Sequence, residues 1–242
     1  MKKRPFFNLQ LFSFLVFSII FIGICIGLII FPLSKSKNTY SETSLSAPIV
    51  VIDAGHGGED GGTVGINGCY EKDINLSVAK KLKSYLSSMG VRCVLTRNSD
   101  TLLYDRTADY EGRKKHLDML ERLRITNSYE NAIFVSIHQN AFTQEKYSGL
   151  QIYYSENNES SLSIAKSIEQ GIKEILQVQN NRVAKASGGN IYLLEELNCP
   201  AILIECGFLS NANECELLCS EEYQSKLCAI ISKEISKFIQ SP

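Results

Sequence analysis

The 242-residue chain has no excess of either charge: 25 Lys and Arg stand against 26 Asp and Glu, a formal net charge of -1. Long runs of one sign are also missing, which argues against a nucleic-acid-binding surface. No C-x-x-C pair occurs, although there are eight cysteines. One of these, Cys25, lies in an apolar segment, and the other seven are an odd number. Cys215 and Cys219 fall on one helix face but are too loosely specified for a metal site. Buried free thiols, or one incidental disulfide, are the expectation. There is no internal repeat. The turn Gly55-His56-Gly57-Gly58 lacks both the G-x-G-x-x-G spacing and a following Lys-Ser/Thr, which disfavours a phosphate cradle. Histidine is scarce, at three residues, and His116 sits in a charged, helix-leading segment where it reads as solvent-facing.

What is present begins with the N-terminus. Lys2, Lys3 and Arg4 precede a stretch from Phe6 to Leu33 with no charged residue. Its core, Leu11 to Phe31, is long enough to span a bilayer as a helix. It is longer than a signal-peptide core, and Phe31-Pro32-Leu33-Ser34 is a poor cleavage site, so an uncleaved anchor is expected. The basic residues before it outweigh Lys35 and Lys37, which puts the N-terminus in the cytoplasm and the rest outside. The organisation expected is a cytoplasmic stub and transmembrane anchor over 1–33, a flexible linker over 34–47 and one catalytic domain over 48–242.

Within that domain, strand and helix patterns alternate. Apolar runs predict strands over Pro48–Ala54, Val91–Thr96, Ala132–Ile137, Leu150–Tyr154, Ile191–Leu194 and Ala201–Ile204. Helical spacing predicts helices over Ile74–Met89, Leu117–Tyr129, Ser160–Leu176, Asn213–Leu218 and Glu222–Ile239. The order implies an α/β fold: a single three-layer domain, its twisted sheet mostly parallel, with helices on both faces. Ligands of such sheets bind outside the carboxyl ends of the strands. His56, His138 and Glu205 each fall at or just after such an end.

Two imidazoles and a carboxylate make an N/O ligand set of the kind catalytic zinc uses, with a fourth position open. His56, His138 and Glu71 are the candidate ligands, Glu71 because it opens the first helix and can turn back toward the strand edge. Glu205 lies inside Ala-Ile-Leu-Ile-Glu-Cys-Gly-Phe-Leu, where a charge is costly unless paired or used. It is the candidate general base. Asp53 and Asn140 are candidate acceptors for the second ring N–H of a ligating histidine.

These segments, taken together, resemble the zinc-dependent N-acetylmuramoyl-L-alanine amidases of the amidase-3 type. Asp53-Ala54-Gly55-His56-Gly57-Gly58, Glu71-Lys72-Asp73-Ile74-Asn75-Leu76, Ser136-Ile137-His138-Gln139-Asn140-Ala141 and Glu205-Cys206-Gly207-Phe208-Leu209-Ser210-Asn211 match that family's blocks in order. The resemblance implies one zinc ion held by His56, Glu71 and His138, with Glu205 as catalytic acid/base. Arg122 matches a recurrent family arginine and is implied to be structural or substrate-orienting. The implied substrate is peptidoglycan, cut between N-acetylmuramic acid and the L-alanine of the stem peptide. Tyr147-Ser148-Gly149-Leu150-Gln151, the Arg182–Gly188 stretch and the Cys206-Gly207-Phe208 variant look like the germination-specific, CwlD-like amidases of spore formers. That likeness implies a role in spore cortex, with a functional link to a muramic-acid deacetylase that leads to muramic-δ-lactam. Control would come through expression, zinc supply or an activating partner protein.

Two other readings remain open on the residues. A zinc carboxypeptidase-like peptidase needs a basic side chain near the ion, and Arg106, Arg182 or Lys185 is available. A non-catalytic wall-binding module predicts loss of His56, Glu71, His138 or Glu205, and none is lost. The Asp100–Lys115 segment, long and polar, reads as a plain surface loop more readily than as a wall of the substrate groove.

Overall fold

The structure, a computed structural model, describes residues 47–105, 107 and 112–240. The anchor, almost all of the linker and Arg106 lie outside these residues. Among the described residues no helix is long and apolar enough to cross a membrane.

The elements in chain order are β1 (Ile49–Ala54), α1 (Glu71–Ser88), β2 (Cys93–Leu95), α2 (Lys114–Asn127), β3 (Ala132–Asn140) and β4 (Gln151–Tyr154). They continue with α3 (Ser160–Ile175), β5 (Lys185–Ala186), α4 (Tyr192–Glu196), β6 (Ala201–Phe208), α5 (Ala212–Cys219) and α6 (Glu221–Gln240). The six strands form one sheet in the order β2-β1-β3-β6-β4-β5. Every pairing is parallel except that of β4 with β6. The expected mostly parallel α/β sheet is therefore found, with one antiparallel seam.

Strand alternation sorts the core into two layers. Val50, Ile52, Ile133, Val135, Ile137, Ile202 and Ile204 point to one face, against Val78 and Leu82 of α1, Ile164 and Ile168 of α3, and Leu227 and Ile231 of α6. Val51, Phe134 and Leu203 point to the other, against Leu123 of α2 and Leu194 of α4. Both faces are covered, so the central strands read as continuous apolar runs. The spacing of Ile74, Val78, Leu82 and Leu86 puts one stripe of α1 into this core, and all four are buried.

Several boundaries differ from expectation. Ile191–Leu194, predicted as a strand, lies in and before helix α4. A short apolar run cannot tell a buried strand from a buried helical turn. Both β3 and β6 run further than expected, to Asn140 and Phe208, because the two strands keep pairing with each other beyond their apolar runs. Strand β5, only two residues long, carried no apolar signal.

Candidate active site

The carboxyl edge of β1, β3 and β6 holds the polar cluster. β1 ends at Ala54, and the chain turns at once through Gly55 to His56. The φ of His56 is +61°, a left-handed conformation that side chains other than glycine adopt at a cost of about 1–3 kcal/mol. Arg122 of α2 braces this turn: its guanidinium donates to the backbone carbonyls of Ala54 and His56, each at 2.9 Å. Gly55 lets the neighbouring strand's histidine come close, since a Cβ there would collide with the His138 ring.

His138 lies near the end of β3, in register with Glu205 of β6. Beyond that pair the register slips, with three steps on β6 against two on β3 before Asn140 meets Phe208. Such a bulge re-aims side chains at a sheet edge. Glu71 opens α1 and brings its carboxylate back over the edge. Its Oε1 lies 3.2 Å from His56 Nε2 and 3.0 Å from His138 Nδ1. One ligand atom from each of His56, Glu71 and His138 falls within 4.8 Å of the other two. The two rings meet edge to face, with centroids 5.0 Å apart.

The rest of Glu71 is tied down. Oε2 accepts the Thr63 N–H at 2.8 Å, and Oε1 accepts the Gln139 N–H at 3.1 Å and the Asn75 amide at 3.3 Å. Burial alone would raise its carboxyl, but His138 and His56 reverse this and hold it well below the carboxylate range. His56 shows the complement: burial would lower its ring, and Glu71 and Asp60 raise it instead.

The acceptor for the second nitrogen of His56 is Asp60, whose Oδ2 lies 2.9 Å from Nδ1. Asp60 is in turn paired with Lys115 at 2.8 Å. This corrects the expectation for Asp53, whose carboxylate is consumed elsewhere. Asp53 accepts from the Thr96 and Ser136 hydroxyls, each at 2.7 Å, and from Arg122. Arg122 closes the network by donating to Asp118 at 2.8 Å. Asn140 contributes its backbone carbonyl, which accepts the Leu209 N–H at 2.8 Å, rather than a bond to a histidine ring. Asp60 was missed because its tie to His56 depends on the turn geometry. A carboxylate four residues after a candidate ligand was the only available signal.

Glu205 is partly exposed, yet its Oε2 is buried without a hydrogen-bond partner. Burial pushes its carboxyl up to about 7, with Glu71 adding to the rise and His138 and His56 opposing it. A cavity of about 390 Å³ opens beside the cluster, lined by His56, Asp60, Lys115, Arg122, His138 and Tyr192 among others. A larger hollow of about 730 Å³ between Thr101–Asp105 and α2 shares none of its residues with this cavity.

The segment read as a plain surface loop is partly docked on the site. Asp100 accepts the Gly58 N–H and the Lys72 ammonium, each at 2.7 Å, and Leu102 is buried. Of the basic candidates for a carboxylate clamp, Arg182 stacks on Phe208, 4.5 Å from its ring centroid. Lys185 lies on β5, and neither Arg182 nor Lys185 lines the cavity. His116 is exposed.

An α/β sheet that brings two imidazoles and two carboxylates to its carboxyl edge defines a class of protein, one equipped for hydrolytic chemistry. The family follows from comparison. The model for the Amidase_3 family, N-acetylmuramoyl-L-alanine amidase, matches residues 50–237, and the chain belongs to that family. The germination-specific N-acetylmuramoyl-L-alanine amidase of Bacillus subtilis (strain 168) is 36% identical over 194 residues, 80% of this chain and 81% of that one. Among solved structures, the CwlD amidase from Clostridioides difficile, in complex with the GerS lipoprotein, superimposes with a TM-score of 0.74. That pair is 39% identical over 78% of this chain and 97% of the other. An N-acetylmuramoyl-L-alanine amidase from Clostridium difficile 630 gives a TM-score of 0.70 at 31% identity, covering 81% and 98%. The chain is thus an N-acetylmuramoyl-L-alanine amidase, a hydrolase of the cell wall.

Proposed function

We propose that this amidase is a zinc enzyme of the spore cortex, held at the outer face of a membrane by its N-terminal helix. The carrying observation is the convergence of His56 Nε2 and His138 Nδ1 on one oxygen of Glu71, beside a Glu205 oxygen that is buried and unpartnered. Two imidazoles and a carboxylate, with His56 held by Asp60 and Glu71 held by the Thr63 N–H, fit zinc and leave room for substrate. When bound, the ion supplies Lewis-acid polarisation of the amide carbonyl and lowers the pKa of water toward neutrality.

The other steps fall to the protein. Asp60 holds His56 by Nδ1, so that Nε2 faces the pocket. Arg122 fixes the carbonyls on either side of Gly55 and so keeps the turn in place. Glu205 takes a proton from the attacking water and delivers it to the alanine nitrogen as the C–N bond breaks. Burial, which pushes the Glu205 carboxyl up from the ordinary carboxylate range in the metal-free site, suits a group that must both take and give up a proton. The products are a muramic-acid carboxylate and a stem peptide with a free amino terminus.

The cortex assignment rests on likeness to the germination-specific and CwlD amidases. In that setting a muramic-acid deacetylase would act on the product, and muramic-δ-lactam would form. A lipoprotein of the kind that accompanies the CwlD amidase is the natural candidate for an activating partner. The charge-free Phe6–Leu33 stretch supports the tether and the extracytoplasmic location.

The deciding experiment incubates the full chain, with zinc, with intact peptidoglycan and with isolated stem peptides, and reads the products by mass spectrometry. Release of stem peptides that begin with L-alanine is expected. Glu205→Gln should lower the rate by about 10²–10⁴-fold while the chain keeps its zinc. Trimming of isolated peptides, or a Glu205→Gln protein as active as the parent, would overturn the assignment.

A further inference from the structure

A second set of ligand atoms gathers outside the cavity. Cys69 lies on the loop that leads into α1, and it meets Cys215 and Cys219 of α5. One sulfur from each lies within 4.8 Å of the other two. Cys69 Sγ and Cys215 Sγ are 3.7 Å apart. Sequence spacing gives only part of this arrangement, since Cys215 and Cys219 are one turn apart on a helix. Cys69 arrives through the fold. Ile66 N–H donates to the Leu209 carbonyl at 3.2 Å, and Gly65 N–H donates to the Cys69 carbonyl at 2.8 Å. These bonds fold the loop and tie it to the turn that leads into α5. A Cβ on Gly65 would come within 2.7 Å of Cys69 Sγ and 2.8 Å of Cys215 Sγ, so only glycine closes the loop over the sulfurs.

The chemistry of three sulfurs narrows the use. A disulfide joins two sulfurs at about 2.05 Å and leaves the third idle. Thiolates around zinc at about 2.3 Å stand about 3.8 Å apart on the edge of a tetrahedron, close to the observed separation. Outer support is present as well. Asn67 donates its amide to Cys219 Sγ at 3.6 Å and accepts the Cys69 N–H at 3.0 Å. Cys215 is buried and Cys219 is exposed, which gives an ion both an anchor and a route in.

We propose that Cys69, Cys215 and Cys219 bind one borderline or soft divalent cation of the zinc and cadmium type, with the fourth position open to water. Thiolate ligands select that class of ion. Each thiol releases its proton to solvent as its sulfur–metal bond forms. The site uses no side chain of the His56 cavity and does not rest on the zinc reading of that cavity. It does bear on the cavity's frame. Cys69 is two residues before Glu71, and α5 follows the strand that carries Glu205, so a bound ion ties the two supports together.

The test titrates the reduced full chain with Cd²⁺ and follows sulfur-to-cadmium charge-transfer absorption, together with the count of thiols open to a thiol reagent. A His138→Ala background removes the other ligand set. In the His138→Ala background the band should saturate at one ion per chain, with the three thiols protected; the parent should reach the same band height while taking up to one further ion in the His56 cavity. Cys219→Ser, at an exposed position that leaves the fold intact, and Cys69→Ser should each weaken uptake by at least about tenfold. Cys93→Ser should leave it unchanged. The proposal is overturned by an absent charge-transfer band, by a band that survives Cys219→Ser, or by a Cys69–Cys215 disulfide that forms in place of ion uptake.

Discussion

At the scale of single residues, the carboxylates of Asp53 and Glu205 face opposite demands. Asp53 is surrounded by donors, and although burial would raise its carboxyl, Arg122, Thr96 and Ser136 hold it below the ordinary 3.8. A depressed carboxylate stabilises the fold fully above its unfolded value, and that contribution disappears as pH falls through the lower folded value. Acid unfolding of the parent should therefore show a stability loss below about pH 3.8 that Asp53→Asn lacks, followed by circular dichroism. Arg122→Met leaves Asp53 and Asp118 buried without their cation and should cost about 3–5 kcal/mol in denaturant unfolding. Glu205 runs the other way. Its folded value near 7 lies above the ordinary 4.5, so its neutral form favours the fold below 4.5 and that advantage is lost as pH rises toward 7. In chelator, Glu205→Gln should flatten the stability–pH curve between those values, and an unchanged slope would mean that Glu205 is solvated.

At the scale of elements, the site depends on how closely three strand ends approach. Gly55→Ala drives a methyl group into the His138 ring, while the core residues of β1 and β3 are untouched. Loss of amidase activity with retained secondary structure is the expected result, measured on peptidoglycan and by circular dichroism. Much of this layer was legible beforehand. The apolar runs of β1, β3 and β6 announce buried strands, and the polar residue that interrupts each run marks its carboxyl end. Helix α1 was legible from its four-residue stripe. What could not be read follows from the same physics. Tyr192–Glu196 is a short apolar piece without a period to classify it. The β6 bulge depends on pairing with β3. Asp60, Asp100 and Cys69 act through contacts that only the folded chain makes, and polarity alone gave them the look of ordinary loop residues.

For the whole molecule, the layers decide where stability is spent. The α1, α3 and α6 layer holds most of the fully buried aliphatic side chains, and Ile168→Ala there should cost about 2–5 kcal/mol. The opposite layer, α2 with the short α4, has the smaller apolar cluster and carries Arg122, Lys115 and Tyr192, which line the cavity. A thinner layer beside the cavity makes the domain's stability sensitive to what the polar edge binds. Glu71 joins α1 of one layer to His138 of the central strand and to His56 of the turn braced by α2. A cation shared by those three groups would cross-link both layers through the sheet edge. An ion present at a hundred times its dissociation constant stabilises by about 2.7 kcal/mol, or about 5–11 °C in Tm for a domain of this size. Calorimetry of the full chain should show that shift on adding zinc after chelation. His138→Ala should abolish most of it, whereas Cys219→Ser should remove only the part contributed by the sulfur cluster. An equal response of the parent and His138→Ala would show that zinc stabilises the chain elsewhere, and the His56, Glu71 and His138 ligand set would then be wrong.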